Sequence, residues 1–157
     1  ERKPLWKEHF LDHFAGFPMV FFPKNGGTAV IEVSGVAEAI VAACYNGENQ
    51  HSYQLSKSNL TYREILMLML LETNDKRKLW LLPAFMAGIA GWFMRISELA
   101  KGKESGLRKD KLMTGILNRK FYVDPEKFQR DLGFDKLGFS GGKDVIQSIK
   151  ETMKSLA

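Results

Sequence analysis

Residues 28–44, TAVIEVSGVAEAIVAAC, decide the expected fold, because a strand pattern turns directly into a helix pattern. Residues 28–33 predict a short strand, and Ser34 is the predicted N-cap of the helix that follows. A strand that runs straight into a helix is the outline of a phosphate-binding unit, but the glycine-rich turn of such a site is missing. Apolar residues at helical spacing predict the helix over 36–44; they are Val36, Ala37, Ile40, Val41 and Cys44.

Short apolar segments between proline, glycine and polar turns predict the other elements. The expected strands lie at 19–22, 52–56, 78–82 and 121–123. The expected helices lie at 4–16, 62–73, from 84 to about 101, from about 108 to 117, and from about 141 to 155. Strands this few and short do not make an independent sheet. The chain is therefore expected to be mostly α-helical, as an incomplete part of an α/β fold.

Two helix starts carry specific signals. Thr61 and Glu64 form a capping box, and the helix that they open is apolar on nearly all sides, which predicts burial on most sides. Asp124 followed by Pro125 predicts an N-cap and first turn, and Gly133 predicts the end of that helix.

Composition and charge restrict the class of protein. The chain has 157 residues, 45% of them hydrophobic and 26% charged, which is typical of one globular domain. The net charge of +5 comes from cations scattered among acids, so a solvated surface or an anionic ligand is favoured over nucleic acid. Cys44 is the only cysteine and is predicted to be a small core residue. The apolar run 80–94 is too short for a membrane span, and no signal peptide is visible, which predicts a cytoplasmic protein without a membrane partner.

No complete catalytic constellation is present. His9 and His13 stand four residues apart, but the Glu of the H-E-x-x-H pattern and a third ligand are missing, so no metal site is predicted. The glycine pair at 26–27 predicts a hairpin-like turn. The pair at 141–142 predicts either amides that bind an anion or a flexible loop leading into the last helix.

The order of motifs carries a resemblance. VIEVSGVAEAI is followed by GENQHSYQLS, NLTYREIL, LLP before a long apolar helix, and FYVDPEKFQRDLGF. This series resembles the C-terminal portion of an extended short-chain dehydrogenase/reductase of the NAD(P)-dependent epimerase/dehydratase family, with dihydroflavonol-reductase-like members as the nearest likeness. One departure is Gly35, where the family carries Asp.

The resemblance implies a Rossmann-type α/β parent protein, of which residues 1–157 form a single substrate-binding lobe. The N-terminal Rossmann domain, with its glycine-rich turn and Tyr-x-x-x-Lys pair, is absent from the chain. The parent would use NADP or NAD to reduce, epimerise or dehydrate a small alcohol, a carbonyl compound or a sugar nucleotide. This lobe would hold no cofactor, would not be catalytic alone, and would have the missing domain and a small-molecule substrate as partners.

The resemblance also implies substrate contacts. Arg119 and Lys120 lie where relatives that act on sugar nucleotides carry a basic residue near the substrate phosphate. His13, Phe17 and Lys24 would border the cleft. The alternatives are solvated charges for the cations and core packing for Phe17. For the whole chain, the alternative is a stand-alone ligand-binding or interaction domain without a cofactor.

Overall fold

The structure is a computed structural model that describes residues 18–100 and 111–154. It shows a mixed α/β fold in which helices predominate and the strands are short. The predicted helix at 4–16 lies outside the described residues, and so do His13 and Phe17. The first part of the predicted helix at 108–117 also lies outside them.

Most described elements lie near the predicted ones with shifted bounds, whereas the strand Ser58–Thr61 and the helix Phe134–Leu137 were not predicted. The strands are β1 (Met19–Pro23), β2 (Gly27–Val30), β3 (Ser58–Thr61), β4 (Lys78–Leu82) and β5 (Lys120–Phe121). The helices are α1 (Val33–Asn46), α2 (Tyr62–Glu72), α3 (Ala84–Ala100), α4 (Lys127–Asp131), α5 (Phe134–Leu137) and α6 (Val145–Lys154), and a π-helical turn spans Leu112–Ile116.

The strands form two small sheets. β1 and β4 pair in parallel, with Met19 opposite Lys78 and Pro23 opposite Leu82. In the second sheet β2 lies between β3, to which it is antiparallel, and β5, to which it is parallel. Because β1 and β2 belong to different sheets, the turn at 24–26 does not close a hairpin, and that prediction is wrong.

The predicted strand at 52–56 is also wrong. The structure has no strand there, and pairing begins at β3, where Ser58 lies opposite Val30. The side chain of Asn59 also joins β3 to the segment after β5, because it donates to Val123 O at 2.8 Å and accepts from Val123 N at 3.2 Å. The polar sequence SNLT of β3 carries no strand signal, whereas the segment before it contains Tyr53 and Leu55 in alternation and therefore predicts a strand.

Two hydrophobic clusters stabilise the fold. The first fills the space between both sheets, α2 and α6; its fully buried members are Val20, Leu66, Met69 and Met153. The second lies under α1 and consists of Ala39, Ala42, Phe128, Leu132 and Phe134. Burying one large apolar side chain stabilises a fold by about 1.5–3 kcal/mol, so these two clusters account for much of the packing energy.

The capping box at the start of α2 is confirmed. Glu64 N donates to Thr61 Oγ1 at 3.2 Å, and Thr61 N donates to Glu64 Oε2 at 2.8 Å. The expected burial of α2 on most sides is only half right. Ile65 and Leu66 are buried, but Met67 and Leu71 are exposed.

Helix α1 is oriented opposite to the expectation. Its small residues Gly35, Ala39 and Ala42 face the interior, whereas Ile40, Val41, Cys44 and Tyr45 are exposed. The prediction of Cys44 as a core residue is therefore wrong. The physical reason is that small side chains let α1 approach the aromatic rings of the second cluster closely, which leaves the larger apolar side chains on the outside.

Three helix starts differ from the predictions. The N-cap of α1 is Glu32, not Ser34, because the Glu32 carboxylate accepts the Ser34 amide at 2.9 Å. Asp124 caps the turn before α4 by accepting Glu126 N at 3.0 Å, and the helix itself begins at Lys127. Helix α6 begins at Val145 because the glycines at 141–142 adopt left-handed φ values of 73° and 85°.

Candidate functional site

The three described cations from the sequence prediction lie around one end of the second sheet. Lys24 begins the turn that leads from β1 to β2, and its amide donates to Leu82 O at 3.0 Å. Gly27 N donates to Arg119 O at 3.1 Å, and Gly27 pairs with Lys120 in the β2–β5 ladder. The structure therefore brings the turn after Lys24 beside Arg119 and Lys120, whose side chains are all exposed. We call these three residues the basic edge.

Close backbone packing holds the basic edge together. A Cβ atom at Gly26 would lie 1.8 Å from Leu117 O, and one at Gly27 would lie 2.7 Å from the Tyr122 ring. Lys120 Nζ lies 5.7 Å from the centroid of that same ring, which is within cation–π distance. The glycine pair thus permits β2 to lie directly against the segment that carries the two cations.

The second glycine pair binds an anion that the chain itself supplies. The amides of Ser140, Gly141 and Gly142 donate to Glu38 Oε2 at 3.0, 2.7 and 3.3 Å. Successive amides in a left-handed turn form a concave site that favours negative charge. We call the three amides of residues 140–142 the nest. Of the two alternatives at 141–142, amides that bind an anion match the structure, but the anion is the carboxylate of Glu38 on α1. These amides are therefore not open to a substrate phosphate.

The nest explains the departure at Gly35. A Cβ atom at this position would lie 2.4 Å from Gly141 O, and a Cβ atom at Gly142 would lie 2.6 Å from Gly35 N. Only glycine allows α1 and the nest to approach so closely. An Asp at position 35, as in the family that the sequence resembles, would not fit this packing.

Glu32 lies next to the nest. Its Oε2 accepts the amide of Ser34 and also the Ser34 hydroxyl. The hydrogen bond from the Ser34 side chain is the main cause that lowers the pKa of Glu32, and Lys143 contributes to the same direction. Glu32 is therefore a charged helix cap at neutral pH.

A cavity of about 490 Å³ opens between β2, α2 and α6. This volume is typical of sites for small molecules. Its polar residues are few, and one of them, Ser148, has a buried hydroxyl without a hydrogen-bond partner in the described part of the chain. Tyr62 also lines the cavity, and burial raises the pKa of its hydroxyl, so the Tyr62 hydroxyl stays protonated. Most of the wall is apolar; it includes Val30, Ile31, Val33, Ile65, Met69, Val145 and Ile149.

The described residues form two features that can bind a ligand, the basic edge and the cavity. Within 18–100 and 111–154 no group of His, Cys, Asp and Glu is arranged to hold a metal ion. The arrangement can hold an anion at the basic edge and an apolar molecule in the cavity. His13 and Phe17 lie outside the described residues, so their predicted places at the cleft stay predictions.

Sequence reasoning missed Glu38 and Ser148. Glu38 lies in an amphipathic helix, where an acidic side chain is ordinarily interpreted as exposed to solvent. Its hydrogen-bond partners lie more than one hundred residues away in the chain, so no local pattern indicates them. Two sequence features could have indicated this contact: Gly35 stands where the resembled family carries Asp, and a Gly-Gly pair occurs at 141–142. Ser148 gives no signal in the sequence, because a serine on a terminal helix is common.

A comparison of the chain with protein-family models, with curated proteins and with solved structures finds no match.

Proposed function

We propose that this chain is the substrate-binding lobe of an NAD(P)-dependent oxidoreductase or epimerase that acts on a small alcohol, a carbonyl compound or a sugar nucleotide. One observation carries the proposal: the larger apolar side chains of α1 face outward. Val33 is 80% exposed, Ile40 59% and Tyr45 75%. A contiguous apolar helix face in contact with water indicates a surface that another protein unit covers. The proposed unit is a Rossmann-type domain that binds NADP or NAD.

Residues 52–56 support this assignment. No backbone–backbone hydrogen bond joins them to other described residues, although Tyr53 and Leu55 pack against the second cluster. A segment whose side chains are anchored while its backbone groups stay unpaired is suited to add a strand to a sheet of another unit. In the proposed protein, that sheet belongs to the cofactor domain.

The basic edge supports the substrate class. Lys24, Arg119 and Lys120 are exposed cations on backbone segments that lie side by side, and Arg binds phosphate oxygens through paired N–H donors. The basic edge would hold the phosphate of a sugar nucleotide. Hydride transfer and acid–base chemistry would be supplied by the cofactor domain.

The coding sequence upstream of this chain gives the first test. The proposal requires a glycine-rich turn and a Tyr-x-x-x-Lys pair within roughly 170 preceding residues, the length of one domain. If that sequence contains neither, the oxidoreductase assignment is wrong.

Binding of UDP-glucose gives the second test. Replacing Arg119 and Lys120 by Ala should weaken binding about tenfold, because each charge-assisted hydrogen bond contributes about 1.5–3 kcal/mol before solvent screening. Replacing the exposed Lys136 and Lys154 by Ala removes the same charge elsewhere and should leave the affinity unchanged. If both double variants lose the same affinity for UDP-glucose, the ligand is attracted by the net charge of the chain and not bound specifically by the basic edge.

The cavity favours a second candidate function, a ligand-binding domain that works without a cofactor. An apolar wall with the unpaired Ser148 hydroxyl suits a small apolar molecule that carries one polar group. Met69→Trp should fill the cavity and abolish binding of an apolar fluorescent dye, whereas Met67→Trp on the exposed side of α2 should not. Dye binding that persists in Met69→Trp would exclude the cavity as the site.

A further inference from the structure

Helix α3 presents a second apolar surface that the proposed function does not use. Successive helical residues turn by about 100°, so six large apolar residues share one arc of about 120°. Phe85 is 69% exposed and Phe93 61%, while the opposite side of the helix packs inward through Ala87 and Gly91. The six exposed residues are Phe85, Met86, Ile89, Trp92, Phe93 and Ile96. We call this set, together with Trp80, the α3 apolar face.

Trp80 joins this face from β4. It stacks edge-on against Phe21 across the β1–β4 pair, with ring centroids 6.3 Å apart. Trp80, Met86 and Phe93 line one shallow groove of about 340 Å³. The exposed aromatic rings therefore form a continuous patch rather than scattered single residues, and such a patch marks a contact surface.

The exposed charged side chains that the structure describes near this face along the chain are positive. Arg95 is the only charged residue between positions 84 and 97, and it is exposed. Lys78 is exposed and lies two residues from Trp80, so both side chains point to the same side of β4. Lys76 is exposed as well, while the nearby acid Asp75 is paired with Arg77 at 2.6 Å.

We propose that the α3 apolar face rests on the surface of an anionic lipid bilayer, with α3 in the plane of the interface. Trp rings favour the boundary between headgroups and acyl chains, and Phe side chains insert just below it. Lys76, Lys78 and Arg95 would meet anionic headgroups, each contributing about 1 kcal/mol. The proposal is independent of the proposed function.

A bilayer fits these charges better than a second copy of the chain. A twofold symmetric contact through this face would bring the cations Lys76, Lys78 and Arg95 close to their own copies. The described acid beside Lys76, Asp75, is already paired with Arg77. The described helices include none that is long and apolar enough to cross a membrane, so the helix lies on the bilayer instead of spanning it. The short apolar run 80–94 predicts that the chain does not span a membrane, and a helix that lies on the bilayer surface does not need a longer run.

Sedimentation of the 157-residue chain with vesicles tests the proposal. Binding is expected to vesicles that mix phosphatidylserine with phosphatidylcholine and to be much weaker with phosphatidylcholine alone. Trp92→Ser combined with Phe93→Ser should lower binding at least tenfold. Lys76→Gln combined with Lys78→Gln should lower binding to the anionic vesicles by roughly tenfold or more, from about 1 kcal/mol for each cation.

The matched control is Ile40→Ser combined with Val41→Ser, which removes exposed apolar side chains from α1. It should leave vesicle binding unchanged. Thermal melting checks that the variants fold, which is expected because the substituted side chains are exposed. The proposal is overturned if the Trp92 and Phe93 variant binds like the parent, or if neutral vesicles bind equally well. It is also overturned if the face forms a dimer in sedimentation analysis without any vesicle binding.

Discussion

Gly35→Ala should destabilise the fold although alanine is the better helix former. In an exposed helix the substitution would gain up to about 1 kcal/mol. Here the new Cβ would lie 2.4 Å from Gly141 O and 2.9 Å from Gly141 C, so α1 and the nest must separate by about 1 Å to reach ordinary contact. Overpacking of this kind costs about 1–3 kcal/mol, and losing one charge-assisted hydrogen bond to Glu38 costs about 1.5–3 kcal/mol more. After a helix gain of about 1 kcal/mol is subtracted, we expect a net loss of about 1.5–5 kcal/mol.

Urea unfolding followed by circular dichroism measures this loss. The midpoint should fall while the dependence on urea stays unchanged, because the surface exposed on unfolding is nearly the same. Gly115→Ala is the control, since no described atom lies within 4 Å of its Cβ position, and we expect it to be neutral or slightly stabilising. A Gly35→Ala variant as stable as the parent would show that α1 does not approach the nest this closely.

Three further perturbations test other parts of the fold. Glu38→Ala leaves buried amides unpaired and should cost about 1–3 kcal/mol in urea unfolding, and added phosphate should restore more stability to this variant than to the parent. Arg77 lowers the pKa of Asp75 below its ordinary value of 3.8. The pair therefore stabilises the fold above that pH, and this contribution is lost as the pH falls through the folded pKa. Asp75→Asn should make the unfolding free energy depend less on pH in this range. Phe128→Ala should cost about 3–5 kcal/mol, measured by thermal melting, because the ring is buried in the second cluster.

Local sequence signals predicted the elements that depend on nearby residues. The capping box at Thr61 and Glu64 is self-contained within four residues, and the short apolar strands β1 and β4 stop at or just before a proline. Such features are set by backbone preferences and hydrogen bonds over a few positions. The sequence therefore predicts them correctly without any knowledge of the tertiary structure.

Features that depend on distant contacts were mispredicted. The orientation of α1 follows from the aromatic residues Phe128 and Phe134, and helical periodicity cannot show which of two apolar sides will face them. The polar strand β3 is joined to a distant segment through Asn59 and Val123, which lie 64 residues apart. The substrate role of Lys24, Arg119 and Lys120 was inferred from the resemblance and stays a prediction, whereas no pattern in the sequence indicated Glu38, the acid that the nest binds. Each missed feature joins segments that no local pattern connects.

The bond between Glu38 and the nest has a kinetic consequence, because its partners lie 102 to 104 residues apart in the chain. A contact with this separation pays a large loop-closure entropy and is expected to form late, after α1 and the aromatic cluster have already packed. An interaction absent from the folding transition state changes the unfolding rate and leaves the folding rate almost unaffected. The contact between Glu38 and the nest would therefore lower the unfolding rate and lengthen the lifetime of the native state, with almost no effect on the folding rate.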